Sequence, residues 1–248
     1  MSNRNQQTGA SSNVLIFLPA CNEDKTVASI VKEAKKLLPN YDVLVIDDGS
    51  TDETASESKK AGATVLSLPF NTGGTCAVLT AYLIAVNNDY DFLVKIDADG
   101  QHIVEDIPRI LRPVLEDEAD ISIGSRYLNK DDIEEDSPLK IGGRVFSSFI
   151  LNHILGDIQI TDTTCGFRAW NKKSLKILLK EYFNRNISND SVLWLIETII
   201  SKRNNLRMQE IPIKILPRKF DKSKSFSTTK MLMYPIKLFQ TFIEAALG

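Results

Sequence analysis

Apolar residues in the first half of the chain come in short unbroken runs, separated by stretches in which apolar and charged residues alternate at helical spacing. Val14-Leu15-Ile16-Phe17-Leu18 reads as a buried strand that stops at Pro19. Asn22 is placed to cap a helix whose apolar positions Val27, Ile30, Val31, Ala34, Leu37 and Leu38 share one face. Val43 to Ile46 is a second strand, Thr51 to Lys60 a helix, and Thr64 to Leu68 a third strand. A helix follows Gly73 and Gly74. Phe92 to Ile96 predicts a fourth strand, Glu105 to Leu115 a helix, and Asp120 to Ile123 a fifth strand. Short apolar strands alternating with helices predict an α/β fold with a mainly parallel, doubly wound sheet. Such sheets bind ligands in the crevice beyond the carboxyl ends of their strands.

The second half is less regular. It holds an amphipathic stretch at 139–155, a loop with Gly166-Phe167-Arg168, two helical segments, a strand-like run from Met208 to Leu216 and a basic loop. With no internal repeat and no clear linker, one domain over 13–228 is expected. Polar residues 1–12 would form a disordered tail, and 229–248 a C-terminal amphipathic helix suited to a membrane interface.

Composition narrows the function classes. At 248 residues the chain can bury a sizeable core, and 43% hydrophobic with 25% charged residues is ordinary for a globular protein. A formal net charge of −2 argues against a broad electrostatic grip on nucleic acid. Cys21, Cys76 and Cys165 are odd in number and lack zinc-ligand spacing, which points to reduced thiols and a cytoplasmic location. No apolar run reaches about 18 residues, so any membrane contact is expected to be peripheral, on the cytoplasmic face.

The chemistry gathers at strand ends. Asp97-Ala98-Asp99-Gly100-Gln101 follows the fourth strand. Two carboxylates one residue apart, with an amide oxygen close behind, suit Mg²⁺ or Mn²⁺ completed by substrate phosphates. Each acidic strand end is also an ordinary turn sequence when read alone. Asp47-Asp48-Gly49-Ser50 adds a second acidic strand end, able to accept hydrogen bonds from a nucleoside or to cap the next helix.

Pro19-Ala20-Cys21-Asn22-Glu23, Asp47-Asp48-Gly49-Ser50 and Asp97-Ala98-Asp99, each after its strand, resemble in order and spacing the family 2 glycosyltransferases. Gly124-Ser125-Arg126-Tyr127, Asp162 with Gly166-Phe167-Arg168, and Arg218 with Ser223-Lys224 extend the resemblance over residues 13 to 225. The branch most resembled comprises dolichol-phosphate mannosyltransferases and polyprenyl-phosphate glycosyltransferases. The resemblance implies a GT-A fold, a nucleotide-sugar donor, a polyprenyl phosphate acceptor, and inversion at the anomeric carbon. It implies that Pro19, Asn22 and Glu23 line the nucleotide pocket and that Asp48 contacts the nucleoside. Gly73 and Gly74 would approach the donor, together with Asp97, Ala98 and Asp99, while Asp97, Asp99 and Gln101 would hold the metal. Arg126, Arg144, Ser148 and Arg168 would hold the acceptor. Arg218 and Lys224 would act in a basic loop over the donor diphosphate, with Asp99 and Arg126 as further catalytic groups. The chain departs from the pattern at Thr75, where a basic residue is frequent, and at Asp221, which replaces a glycine.

Three rival readings belong beside this one. A family 2 enzyme acting on a sugar hydroxyl would need a general base, for which Asp162 and Asp190 are candidates. A non-catalytic nucleotide-sugar-binding module would bind donor without turnover. A sugar-nucleotide pyrophosphorylase is disfavoured, because the first strand ends in Pro19-Ala20-Cys21-Asn22-Glu23 and lacks a glycine-rich basic loop.

Overall fold

A computed structural model describes residues 13–128, 160–185 and 193–218. The predicted tail, the stretch at 139–155 with Arg144, Ser148 and His153, the acidic run 131–136, Asp190, the loop from Lys219 through Lys224 and the C-terminal helix lie outside the described residues.

In chain order the elements are β1 (Val14–Ala20), α1 (Val27–Leu37), β2 (Asp42–Asp47), α2 (Thr54–Lys60), β3 (Thr64–Ser67), α3 (Gly74–Asn87) and β4 (Phe92–Lys95). A 3-10 turn at Val104–Asp106 leads into α4 (Ile107–Leu115). Then come β5 (Ile121–Ser125), β6 (Arg168–Asn171), α5 (Lys172–Arg185), α6 (Leu193–Arg203) and β7 (Met208–Pro212). The seven strands form one sheet in the order β3-β2-β1-β4-β6-β5-β7. All pairings are parallel except those of β6, which runs antiparallel to both β4 and β5.

The unbroken apolar runs have a simple cause: both faces of the sheet are covered. From β1, Leu15 and Phe17 pack with Tyr82 of α3, Leu178 of α5 and Ile199 of α6. Val14, Ile16 and Leu18 face the opposite way, against Val31 of α1 and Ile110 of α4. Chain order reverses beside β1, with β2 on one side and β4 on the other. Such a switch point opens a crevice beyond the strand ends, and both acidic segments border it.

Three expectations need correction. Asn22 does not cap α1, which starts at Val27. Instead Asn22 takes a left-handed backbone (φ 55°) and accepts a hydrogen bond from the Thr51 amide (2.8 Å), tying the end of β1 to that of β2. The second helix starts at Thr54, because Asp52 accepts from the Thr54 amide (3.0 Å) and takes up the preceding turn. Finally, the segment read as a loop at Arg168 is strand β6. Its Arg-Ala-Trp-Asn sequence lacks an apolar run, and it is held by neighbours on both sides.

Candidate active site

Residues from three strand ends and one later loop meet in the crevice. Beyond β4 the backbone turns at Gly100 (φ 76°), and the Asp99 carboxylate accepts the Gln101 amide (3.0 Å). Thr26 fixes the turn from the other side by donating to the Ala98 carbonyl (2.6 Å). One terminal nitrogen of Arg218 lies 3.1 Å from Asp99 Oδ2 and 3.1 Å from Glu23 Oε1. Gln101 is bound to the same loop: its carbonyl accepts the Leu216 amide (2.8 Å), and its side chain donates to the Leu216 carbonyl (3.4 Å). Glu23, Asp99, Gln101 and Arg218, from three distant parts of the sequence, thus form one cluster.

Asp97 has a different surrounding. The buried Lys95 ammonium pairs with its Oδ1, and His102 Nδ1 lies 3.4 Å from Oδ2. Burial alone would raise the Asp97 pKa, but Lys95 and His102 outweigh it and hold the value at about 2. Burial lowers the pKa of His102, whose ring stacks on Phe167 at 4.9 Å between centroids. Lys95 also lies 5.3 Å from the Trp194 ring centroid. A Cβ on Gly166 would fall 2.7 Å from Lys95 Nζ and 3.2 Å from the Trp194 indole, so glycine there makes room for this cation. Lys95 went unnoticed in the sequence, although a lone lysine in Phe-Leu-Val-Lys-Ile was a signal: a buried cation needs a partner.

The second acidic end anchors a glycine turn. Asp48 accepts from the Thr72 amide (2.7 Å), the Thr72 hydroxyl (2.6 Å) and the Gly73 amide (2.9 Å). It therefore anchors the Gly73-Gly74 turn that opens α3, whose first amides point out of the helix. Asp47 accepts the Ser50 amide (3.1 Å). Gly49 has φ +64°, and a Cβ there would lie 2.3 Å from the Phe70 carbonyl carbon. Gly49→Ala is therefore expected to displace the segment that carries Thr72 and Gly73. The expected cost is about 2 kcal/mol or more in stability, read from urea unfolding.

Arg126 and Asp162 form a second cluster. Asp162 grips one edge of the guanidinium, through Nε at 2.7 Å and a terminal nitrogen at 2.8 Å, while a third (33%) of the arginine side chain stays exposed. Asp162 also accepts from the Thr164 and Cys165 amides (3.2 and 3.1 Å). Burial pushes its pKa up, but the Arg126 hydrogen bonds outweigh that and hold it below the usual range. A carboxylate so neutralised and so fully bonded is poorly suited to serve as a general base. Arg168, expected to bind acceptor, is fully buried and donates to Glu197 (2.9 Å) and to the Cys165 carbonyl (2.9 Å). Its position in β6, between β4 and β5, turns it into the core, which gives it a structural task. Pro19 lies within β1, next to Ala20 at the strand end, and Gly74 begins α3.

Among the described residues, no group of three or more His, Cys, Asp or Glu side chains is arranged to hold a metal by itself. Asp97 and Asp99 are the two carboxylates at the end of β4, and each is engaged by a cation of the chain itself, Lys95 at Asp97 and Arg218 at Asp99. None of the described helices is long and apolar enough to cross a membrane.

The model of the glycosyl transferase family 2 matches residues 15–179. The chain is 28% identical to the UDP-N-acetylglucosamine–dolichyl-phosphate N-acetylglucosaminyltransferase of Methanococcus voltae, across 96% of this chain and 98% of that protein. It is 27% identical to the undecaprenyl-phosphate mannosyltransferase of Micrococcus luteus, across 85% of this chain and 86% of that protein. Among solved structures it resembles the Mycobacterium tuberculosis glucosyl-3-phosphoglycerate synthase bound to Mn²⁺, UDP and glucosyl-3-phosphoglycerate. The TM-score is 0.69 at 16% identity, covering 95% of this chain and 80% of that one. The fold is the GT-A fold.

Proposed function

Because the chain belongs to the family 2 glycosyltransferases, we propose that it moves a hexose from a nucleotide sugar to a polyprenyl phosphate, inverting the anomeric carbon. The observation that carries this reading is the cluster in which Arg218 bridges Asp99 and Glu23, with a second acidic strand end where Asp48 anchors a glycine turn. It offers carboxylates for a cation and donors for a diphosphate in one crevice. Two relatives matched over most of their length, a dolichyl-phosphate and an undecaprenyl-phosphate transferase, support the lipid acceptor.

Asp97, Asp99 and Gln101 would hold Mg²⁺ or Mn²⁺, which supplies electrostatic stabilisation of the departing nucleoside diphosphate. The chain's own groups handle positioning. Asp48 fixes the turn at Gly73 and Gly74, whose backbone can come close to a phosphate without a Cβ in the way. Arg126, oriented by Asp162, presents its exposed part to the acceptor phosphate, with Arg144 and Ser148 assigned to the same task. Arg218 and Lys224 offset charge on the leaving group. A phosphate monoester is already anionic near neutral pH, so its oxygen attacks without a strong base. The engagement of Asp162 by Arg126 agrees with that economy, since it occupies one of the two carboxylates considered as a base for a sugar-hydroxyl acceptor. The enzyme would work at a membrane surface, on the cytoplasmic face.

The test measures nucleoside diphosphate release from GDP-mannose, UDP-glucose and UDP-N-acetylglucosamine with Mn²⁺, with and without a short polyprenyl phosphate. Release from one donor, stimulated by the lipid, is expected. Donor binding without release under any condition would instead indicate a binding module.

A further inference from the structure

Glu210 has no part in the clusters described so far, yet it accepts three hydrogen bonds from the segment that carries Asp162. It lies on β7, opposite Ile123 of β5. Alternation along the strand puts it on the same face as Met208, which packs on the apolar layer of α3, α5 and α6. A half-buried carboxylate there needs donors, and three are supplied. Oε1 accepts the Asp162 amide (2.7 Å), while Oε2 accepts the Thr161 amide and the Thr161 hydroxyl (2.9 Å each). Burial raises the Glu210 pKa, and these hydrogen bonds oppose the rise. An ionised carboxylate only accepts, so the Thr161 proton points to Glu210 and the Thr161 oxygen accepts from Ser125 Oγ (2.8 Å). Ser125 Oγ in turn accepts the Tyr127 amide (3.3 Å). Two arms thus leave one carboxylate. The first runs through Asp162 to the Nε edge of the Arg126 guanidinium. The second runs through Thr161 and Ser125 to the backbone on either side of Arg126. Asp162 and Thr164 (2.6 Å) take the Nε and one terminal nitrogen; among the described residues no group takes a hydrogen bond from the other.

We propose that Glu210 is a positioning residue for the acceptor: it fixes Arg126 through side chain and backbone together, so that the open terminal nitrogen is aimed before a phosphate arrives. This rests on the acceptor role given to Arg126 above. A carboxylate would repel a phosphate in direct contact, and both Glu210 oxygens are already taken by donors. Its effect therefore reaches the acceptor only through Arg126. An arginine held in advance gives up less side-chain freedom on binding, which strengthens the contact without adding a new one.

The experiment measures binding of geranyl phosphate, a short soluble isoprenyl phosphate, to the full chain by calorimetry. UDP and GDP are titrated in parallel with Mn²⁺ present. Glu210→Gln keeps the shape but puts a donor where donors already point. It should weaken geranyl phosphate binding by about tenfold, the scale of one well-placed hydrogen bond, and leave nucleotide binding unchanged. Arg126→Ala should weaken it at least as much. The double variant should bind no more weakly than Arg126→Ala alone, because Glu210 acts through Arg126. A merely structural glutamate would lower affinity for both ligands and add its loss to that of Arg126→Ala. Thr161→Val cuts the hydroxyl arm alone and should cost about threefold, while Thr161→Ser keeps that arm and should match wild type. This pair keeps the test decisive should Glu210→Gln fail to fold. Wild-type affinity in Glu210→Gln, or in Thr161→Val where Glu210→Gln does not fold, would overturn the proposal, as would additive losses in the double variant. With Arg126→Ala still impaired, those results would leave the acceptor reading standing. Unchanged binding in Arg126→Ala, or none by wild-type protein, would overturn the acceptor role of Arg126 and the proposal with it.

Discussion

Replacing Asp99 by alanine is expected to abolish glycosyl transfer while leaving the protein folded. Asp99 stands beyond the end of β4, where it meets the Gln101 amide and the Arg218 guanidinium. Losing them removes little from either apolar layer, so the stability change should stay within about 1 kcal/mol. The chemical loss is much larger. The proposed cation would have one carboxylate in place of two, and Arg218 would lose one of the two acceptors that place it. Removing such electrostatic support typically costs about a hundred- to a thousandfold in kcat. Steady-state kinetics beside a urea unfolding curve checks both halves. Retained activity in Asp99→Ala would remove the metal assignment.

The largest effect on stability is expected from Arg168→Ala. Arg168 and Glu197 are fully buried and paired, and Glu197 also accepts from Tyr82 (2.5 Å) and Trp170 (3.1 Å). Deleting the guanidinium leaves a carboxylate in the core without its cation, a change that costs about 3–5 kcal/mol. Against a total stability of about 5–15 kcal/mol, this is a large share. A lower urea midpoint, with acceptor KM per folded molecule unchanged, is the expected outcome. An unchanged midpoint with a raised acceptor KM would restore Arg168 to the acceptor site. The double variant Arg168→Met with Glu197→Leu should recover much of the loss, because it removes the stranded charge along with its partner.

The sheet was legible where burial is two-sided. The runs in β1, β2 and β4 are apolar because helices cover both faces, and their acidic ends mark the crevice by chemistry that turn propensity alone could not separate from a simple bend. Less could be read where a residue's meaning depends on a distant partner. Strand β6 carries an arginine that only Glu197, on α6, makes tolerable in the core. Lys95 looks out of place in its strand until Asp97, Trp194 and the missing side chain of Gly166 are seen around it. Asp48 was expected at the nucleoside, and the structure shows it holding Thr72 and Gly73; the spacing of 24 residues between them carries no local signal. Arg126 and Asp162 were both singled out, yet their pairing, which engages the candidate base, is tertiary information.

Transfer to a phosphate needs no strong base, whereas transfer to an alcohol does. The most direct measurement compares polyprenyl phosphate with the corresponding polyprenol as acceptor, following labelled sugar into the organic phase from the donor that shows lipid-stimulated release. Label is expected in the lipid with the phosphate and none with the alcohol. Equal labelling of both, or labelling of the alcohol alone, would contradict it.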